Sequence, residues 1–212
     1  MSEGLFYIAV FLGIFISMAS FYFKNRIDFQ TFGLLPFIFL ILIASLYELI
    51  ITFYFKVDSK IWFRIYDLLE FGCIFYYFYT IIKGFRSFFS FFSFIYLILY
   101  IYLAINWFSI NHLKSDSYLI TIETLFVFIV TFLWFKQFFK THRALSMLSI
   151  SDFYFVSGLI IYLSGTFVLN ILGDYILLVI RSQFLVYWNI MIFFNIILRL
   201  FIIIGIWKKS MK

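Results

Sequence analysis

Four carboxylates, Glu48, Asp67, Glu70 and Glu123, lie inside apolar stretches long enough to cross a bilayer. A charge at membrane depth is expensive, and is kept where it faces a bundle interior, a partner or a ligand. Asp67 and Glu70 are three residues apart and share one helix face. Tyr66, Glu70, Cys73 and Tyr77 continue that face as a semi-polar stripe; Ser45, Glu48 and Thr52 form another, with Tyr47 beside it. Converging, these faces make an acidic pocket of Glu48, Asp67, Glu70, Glu123, Tyr47 and Tyr66. Carboxylates crowded together cannot all ionise unaided, so the pocket suits a metal ion, an amine or protons. The same acids could instead be structural: Arg64, one turn before Asp67, can pair with it, and protonated acids can hydrogen-bond between helices.

A second polar pair, Asn195 and Arg199, is expected in the inner half of the last stretch. Arg199 can snorkel to inner headgroups, or serve as an inner-half partner or output lever. Other chemistries lack residues to carry them. Cys73 is the sole cysteine, which excludes an intramolecular disulfide and a thiolate cluster. The two histidines, His112 and His142, fall outside the spans, which disfavours a His-based zinc site. An oxygen-rich divalent-cation site stays open, its metal unknown. No nucleophile with a nearby base lies in a span, so no enzyme activity and no cofactor are expected. The last span has no lysine before Lys208 to form a retinal Schiff base.

The elements that must position these groups follow from composition. The 212 residues are 66% hydrophobic and only 12% charged, with a mean hydropathy of +1.09. Soluble domains are about 45–50% apolar, so this is an integral membrane protein in contact with the lipid bilayer. Its 35 Phe show no single stripe and read as compositional bias rather than a ligand box. The net charge of +6 is scattered over short links, which fits topology signals and headgroup contacts, not nucleic acid.

A helix needs about 20 apolar residues to span the hydrocarbon. The runs are continuous rather than alternating, which favours helices over a barrel. Seven spans are expected, at about 4–23, 33–55, 61–82, 88–108, 118–139, 153–172 and 183–207, forming one all-α transmembrane domain (1–212) with no soluble domain. The first is expected to be a retained anchor rather than a cleaved signal, since no basic n-region precedes it. On one side lie ten Lys and Arg: Lys24, Arg26, Lys83, Arg86, Lys136, Lys140, Arg143, Lys208, Lys209 and Lys212. The other side holds five: Lys56, Lys60, Arg64, Lys114 and Arg181. This bias places the N-terminus outside and the C-terminus in the cytoplasm. At about 1.5 Å per residue the four acids would then share a depth roughly 8–14 Å below the outer surface.

Small residues allow close helix approach in lipid. Ala9, Gly13 and Ser17 in the first span, and Gly158 and Gly165 in the sixth, read as helix–helix contact faces. Ser151 and Asp152 read as the start of the sixth helix.

Several stretches resemble a family of small seven-helix bacterial membrane proteins, typical of Bacteroidota, found alone or as the membrane input module of sensor histidine kinases. The resemblance rests on Leu46-Tyr47-Glu48, on Tyr66-Asp67-Leu68-Leu69-Glu70, and on Asp152-Phe153-Tyr154-Phe155 leading into Gly158–Gly165. It continues in Asn195-Ile196-Ile197-Leu198 and the closing Trp207-Lys208-Lys209. It implies signal perception in the bacterial inner membrane without naming a signal. No kinase domain is expected in this chain, so a sensor would act through a separate partner, a histidine kinase or another complex subunit. The expected function is therefore a membrane-embedded sensor or accessory module with an outward-facing acidic pocket. A small cation or amine transporter or channel, or a structural subunit of a membrane complex, is the alternative.

Overall fold

The computed structural model describes residues 3–22, 33–57, 60–106, 112–141, 147–178 and 184–210. Seven long helices carry them: α1 (Glu3–Tyr22), α2 (Leu35–Tyr47), α3 (Lys60–Ile81), α4 (Arg86–Ile105), α5 (His112–Thr141), α6 (Ser151–Leu178) and α7 (Phe184–Ser210). α2 runs on without a break as a π-helical segment, Glu48–Tyr54, and a 3₁₀ turn, Met147–Ser149, precedes α6. No strand occurs among the described residues. The side chains of His112 and Lys114, and Lys24, Arg26, His142, Arg143 and Arg181 altogether, lie outside what is described.

The helices close a ring. Each packs on the next in chain order, α5 also reaches α3, and α7 returns to α1. The α6–α7 hairpin is the most extensive interface, and glycine makes it possible. A methyl group on Gly158 would stand 2.7 Å from Phe201 Cβ, and one on Gly165 would overlap the Phe194 ring. Both glycines, seven residues apart, thus admit α7 side chains, the use of small residues expected where apolar lipid offers no hydrophobic drive to pack.

Six helical stretches are long and apolar enough to cross a membrane: Gly4–Tyr22, Leu35–Tyr54, Arg86–Ile105, Ser117–Lys140, Ser151–Gly173 and Leu185–Lys209. Large apolar side chains such as Phe11, Met18, Phe94, Ile101 and Phe132 cover their outer faces. The chain is a helical, multi-pass membrane protein. α3 is the helix that falls short of that apolarity, because Lys60, Arg64, Asp67, Glu70 and a run of tyrosines lie along it. Its neighbours shelter it: Arg64, Asp67 and Glu70 are each at least nine-tenths buried among α2, α4 and α5.

Helices α5, α6 and α7 are longer than the apolar runs suggest, at 30, 28 and 27 residues. At about 1.5 Å per residue they are roughly 40–45 Å long, enough to pass through the headgroup layers as well. Hydropathy underreads such ends because they carry Lys, Asp and Ser.

Aromatic residues fill the α3–α4–α5 sector. Phe126 of α5 is ringed by Phe71, Phe75 and Phe78 of α3 and by Phe88, Phe89 and Phe92 of α4, with centroids 5.4–6.5 Å away. Phe71 also lies flat on Tyr96, centroids 3.7 Å apart. The Phe-rich composition here is core packing, worth more than its area alone through edge and offset contacts.

Candidate functional site

Two polar assemblies sit inside this apolar ring. The first joins α1, α2 and α7. Ala9, Gly13 and Ser17 form one face of α1, as their four-residue spacing requires. The Arg199 guanidinium of α7 reaches across that face and donates through Nη1 to the Ala9 carbonyl and to Ser45 Oγ of α2, the latter at 3.2 Å. Gly13 leaves the space: a Cβ there would stand 2.7 Å from the guanidinium and overlap the Ser45 hydroxyl. Ser17 Oγ continues the join, lying 3.4 Å from the Gly13 carbonyl and 3.5 Å from that of Ile38. Glu48, three residues beyond Ser45 and partly buried, lies within the field of the Arg199 charge. It is also where α2 changes from α to π winding, a change that recurs at functional positions.

The second assembly joins α3, α4, α5 and α6. Glu123 of α5 is 1% exposed, and its Oε1 has no hydrogen-bond partner. Glu70 and Asp67 of α3 lie within its field, as do Cys73, Tyr96 of α4 and Tyr162 of α6. Tyr66 Oη points at Glu70 Oε1 over a long 3.5 Å. α4 grips α3 by its backbone: Tyr96 Oη donates to the Asp67 carbonyl at 2.9 Å, and Tyr100 Oη to the Arg64 carbonyl at 3.2 Å. One turn separates the two tyrosines and one turn the two carbonyls, so the pair acts as a two-point clamp. Farther along α3, Tyr77 Oη donates to Asp152 of α6 at 3.1 Å, giving the acid at the start of α6 an interhelical role.

The assemblies meet at one level. Glu70 lies at the centre of α3, and Arg199, Glu123 and Tyr162 each lie within about one turn of the centres of α7, α5 and α6. Tyr66 and Tyr162 stand between them, each sensing both Glu70 and Arg199. The guanidinium turns to α1 and α2, and Asn195 Oδ1 is buried with no hydrogen-bond partner.

Of the six expected pocket residues, the α3–α5 assembly gathers Asp67, Glu70 and Glu123, with Tyr66 on its edge. Glu48 belongs with Arg199. Tyr47 stacks on Trp62 of α3, centroids 4.4 Å apart and rings 15° from parallel. Among the described residues no three His, Cys, Asp or Glu side chains are grouped to hold a metal ion, so the oxygen-rich divalent site left open by the sequence gains no ligand set. Tyr96, Tyr100 and Tyr162 are the site residues that the sequence reading passes over. The i, i+4 spacing of Tyr96 and Tyr100 is a signal, but 16 tyrosines in one chain dilute it.

No protein-family model, curated protein or solved structure matches this chain.

Proposed function

We propose that the protein is a membrane-embedded sensor or accessory module that takes up positive charge at its mid-depth acidic centre and acts through a protein partner. The observation that carries this reading is Glu123. A carboxyl group buried to 99%, with an unpartnered oxygen and two further carboxyls in its field, is costly to keep for packing alone. In this reading α3 is a seventh span, admitted to the bilayer because its neighbours cover its charges. The N-terminus faces outward and the C-terminus the cytoplasm of a bacterial inner membrane, in line with the Lys and Arg bias.

The proposed mechanism is a shift between two packings of the ring. Charge neutralisation at the acidic centre favours one of them, and the partner reads the difference. Thermal unfolding of the purified protein tests it, run against divalent cations, polyamines and pH. An occupant at about 100 times its dissociation constant adds roughly 2.7 kcal/mol, and Glu123→Gln abolishes the response. A response of equal size in Glu123→Gln, or none in either protein, rejects the acidic centre. A reporter fused to the C-terminus that is active only outside rejects the orientation.

The Arg199 assembly supports a second reading, a structural subunit. Its hydrogen bonds join three helices. Isolation in native lipid with a stoichiometric partner, together with stability unresponsive to any cation, favours that reading.

A further inference from the structure

We infer that the positive charge taken up is the proton, held at neutral pH on Glu123 with Glu70 as its exchanging neighbour. This rests on the acidic-centre reading above and narrows it to one occupant. Three observations carry it.

The first is charge balance across the layer. Among the described residues at that level or within two turns of it, two guanidiniums, Arg64 and Arg199, stand against four carboxyls, Glu48, Asp67, Glu70 and Glu123. Arg199 is committed to the Glu48 side, and Arg64 lies one turn from Asp67 on the same helix. Glu70 and Glu123 are the excess.

The second is the space around Glu123. Leu119, Phe126 and Val127 lie one turn away on its own helix, and Phe126 packs on Phe71 of α3, all at most 4% exposed. A metal cation requires a shell of oxygen ligands, about 6–8 for calcium, and no grouping of three ligating acids exists among the described residues. A proton needs neither cavity nor shell.

The third is an asymmetry within the pair. Glu70 faces the Tyr66 hydroxyl, a donor suited to a carboxylate, whereas Glu123 Oε1 faces no donor. Two carboxyls in one field, one with a donor and one without, divide into a carboxylate and a neutral acid. The other titratable groups facing them are Asp67 and Cys73 of α3, Tyr96 of α4 and Tyr162 of α6. None of these is a cation that could replace the proton. Protonation converts the Glu123 carboxylate to the acid and removes one negative charge from the α3–α5 interface.

Infrared spectroscopy of the full chain in lipid nanodiscs tests this. The expected result is a carboxylic C=O band at neutral pH, shifted in D₂O and lost in alkali. Glu123→Gln abolishes the band, and Glu70→Gln keeps it at an altered frequency. A native protein without the band, or a band that survives Glu123→Gln, overturns the inference. If Glu123→Gln fails to fold, Glu70→Gln decides: an unmoved band in that variant is the overturning result. Sodium and methylammonium, added in parallel to a thermal melt, separate the two levels of the argument. Stabilisation by either cation without the infrared band keeps the acidic centre and rejects the proton. Neither band nor stabilisation rejects both.

Discussion

The Arg199 and Glu123 assemblies lie at the same depth in one ring, yet they solve opposite problems. Around Arg199, a charge is brought into lipid together with its partners: a carbonyl from α1, a hydroxyl from α2 and the nearby Glu48. Small residues clear the way, since Gly13 leaves the volume that the guanidinium and Ser45 fill. Around Glu123, carboxyls gather and the hydrogen bonds stop short of its Oε1. The tyrosines of α4 go to the α3 backbone, and aromatic rings take the remaining space. A group surrounded by fixed partners holds helices together. A group that lacks them is free to change state. The first region is therefore expected to set stability and the second to set response.

Arg199→Met should break this comparison most severely. It leaves the Ala9 carbonyl and Ser45 without their donor, and hydrogen bonds to a charged group contribute about 1.5–3 kcal/mol each. Reversible unfolding in mixed micelles measures it, and a loss below about 1 kcal/mol would mean that Arg199 does not bind the three helices. Next comes Gly13→Ala, with Gly72→Ala as its control. The first forces a methyl between Ser45 and Arg199 and should cost about 1–3 kcal/mol. The second meets nothing within 4 Å and should be neutral, or stabilise by up to about 1 kcal/mol through helix propensity. Tyr96→Phe removes one hydrogen bond to the Asp67 carbonyl and should cost about 0.5–1.5 kcal/mol. A double variant with Tyr100→Phe should cost more than the sum if the two tyrosines form one clamp, which a double-mutant cycle reads directly. Glu123→Gln is the smallest perturbation, expected to stay within about 1 kcal/mol because the amide resembles the neutral acid in shape. It should nevertheless flatten the pH dependence of unfolding, and that separation of stability from response is the sharpest form of the comparison.

The sequence carries the helices well and the site only in part. Each expected span overlaps one observed helix, because long apolar runs are a strong and local signal. The glycine faces of α1 and α6 are equally legible, since both spacing and residue type point to close approach. Asp67, Glu70 and Glu123 are found as buried acids for the same reason: a carboxylate in a run of Phe and Ile is conspicuous. The extent of α7 is read short, ending near 207 where the helix extends to Ser210, and the contacts of Arg199 are missed. Its partners could not be read at all, since Ala9 and Ser45 are 190 and 154 residues away in the chain. Tyr96 and Tyr100 escape for a different reason. Their targets are backbone carbonyls, which every residue possesses, so nothing in the residue types singles out the contact.

The glycine-lined seam between α6 and α7 has a mechanical consequence. Tyr162, which faces the acids, belongs to one of these helices, and Arg199, which holds α1 and α2, belongs to the other. With Phe194 and Phe201 seated over Gly165 and Gly158, the two helices have little freedom to slide past each other and travel as a single rod. In the proposed mechanism, a tilt that begins on the tyrosine side would reach the arginine side through this hairpin, the transmission shaft of the ring.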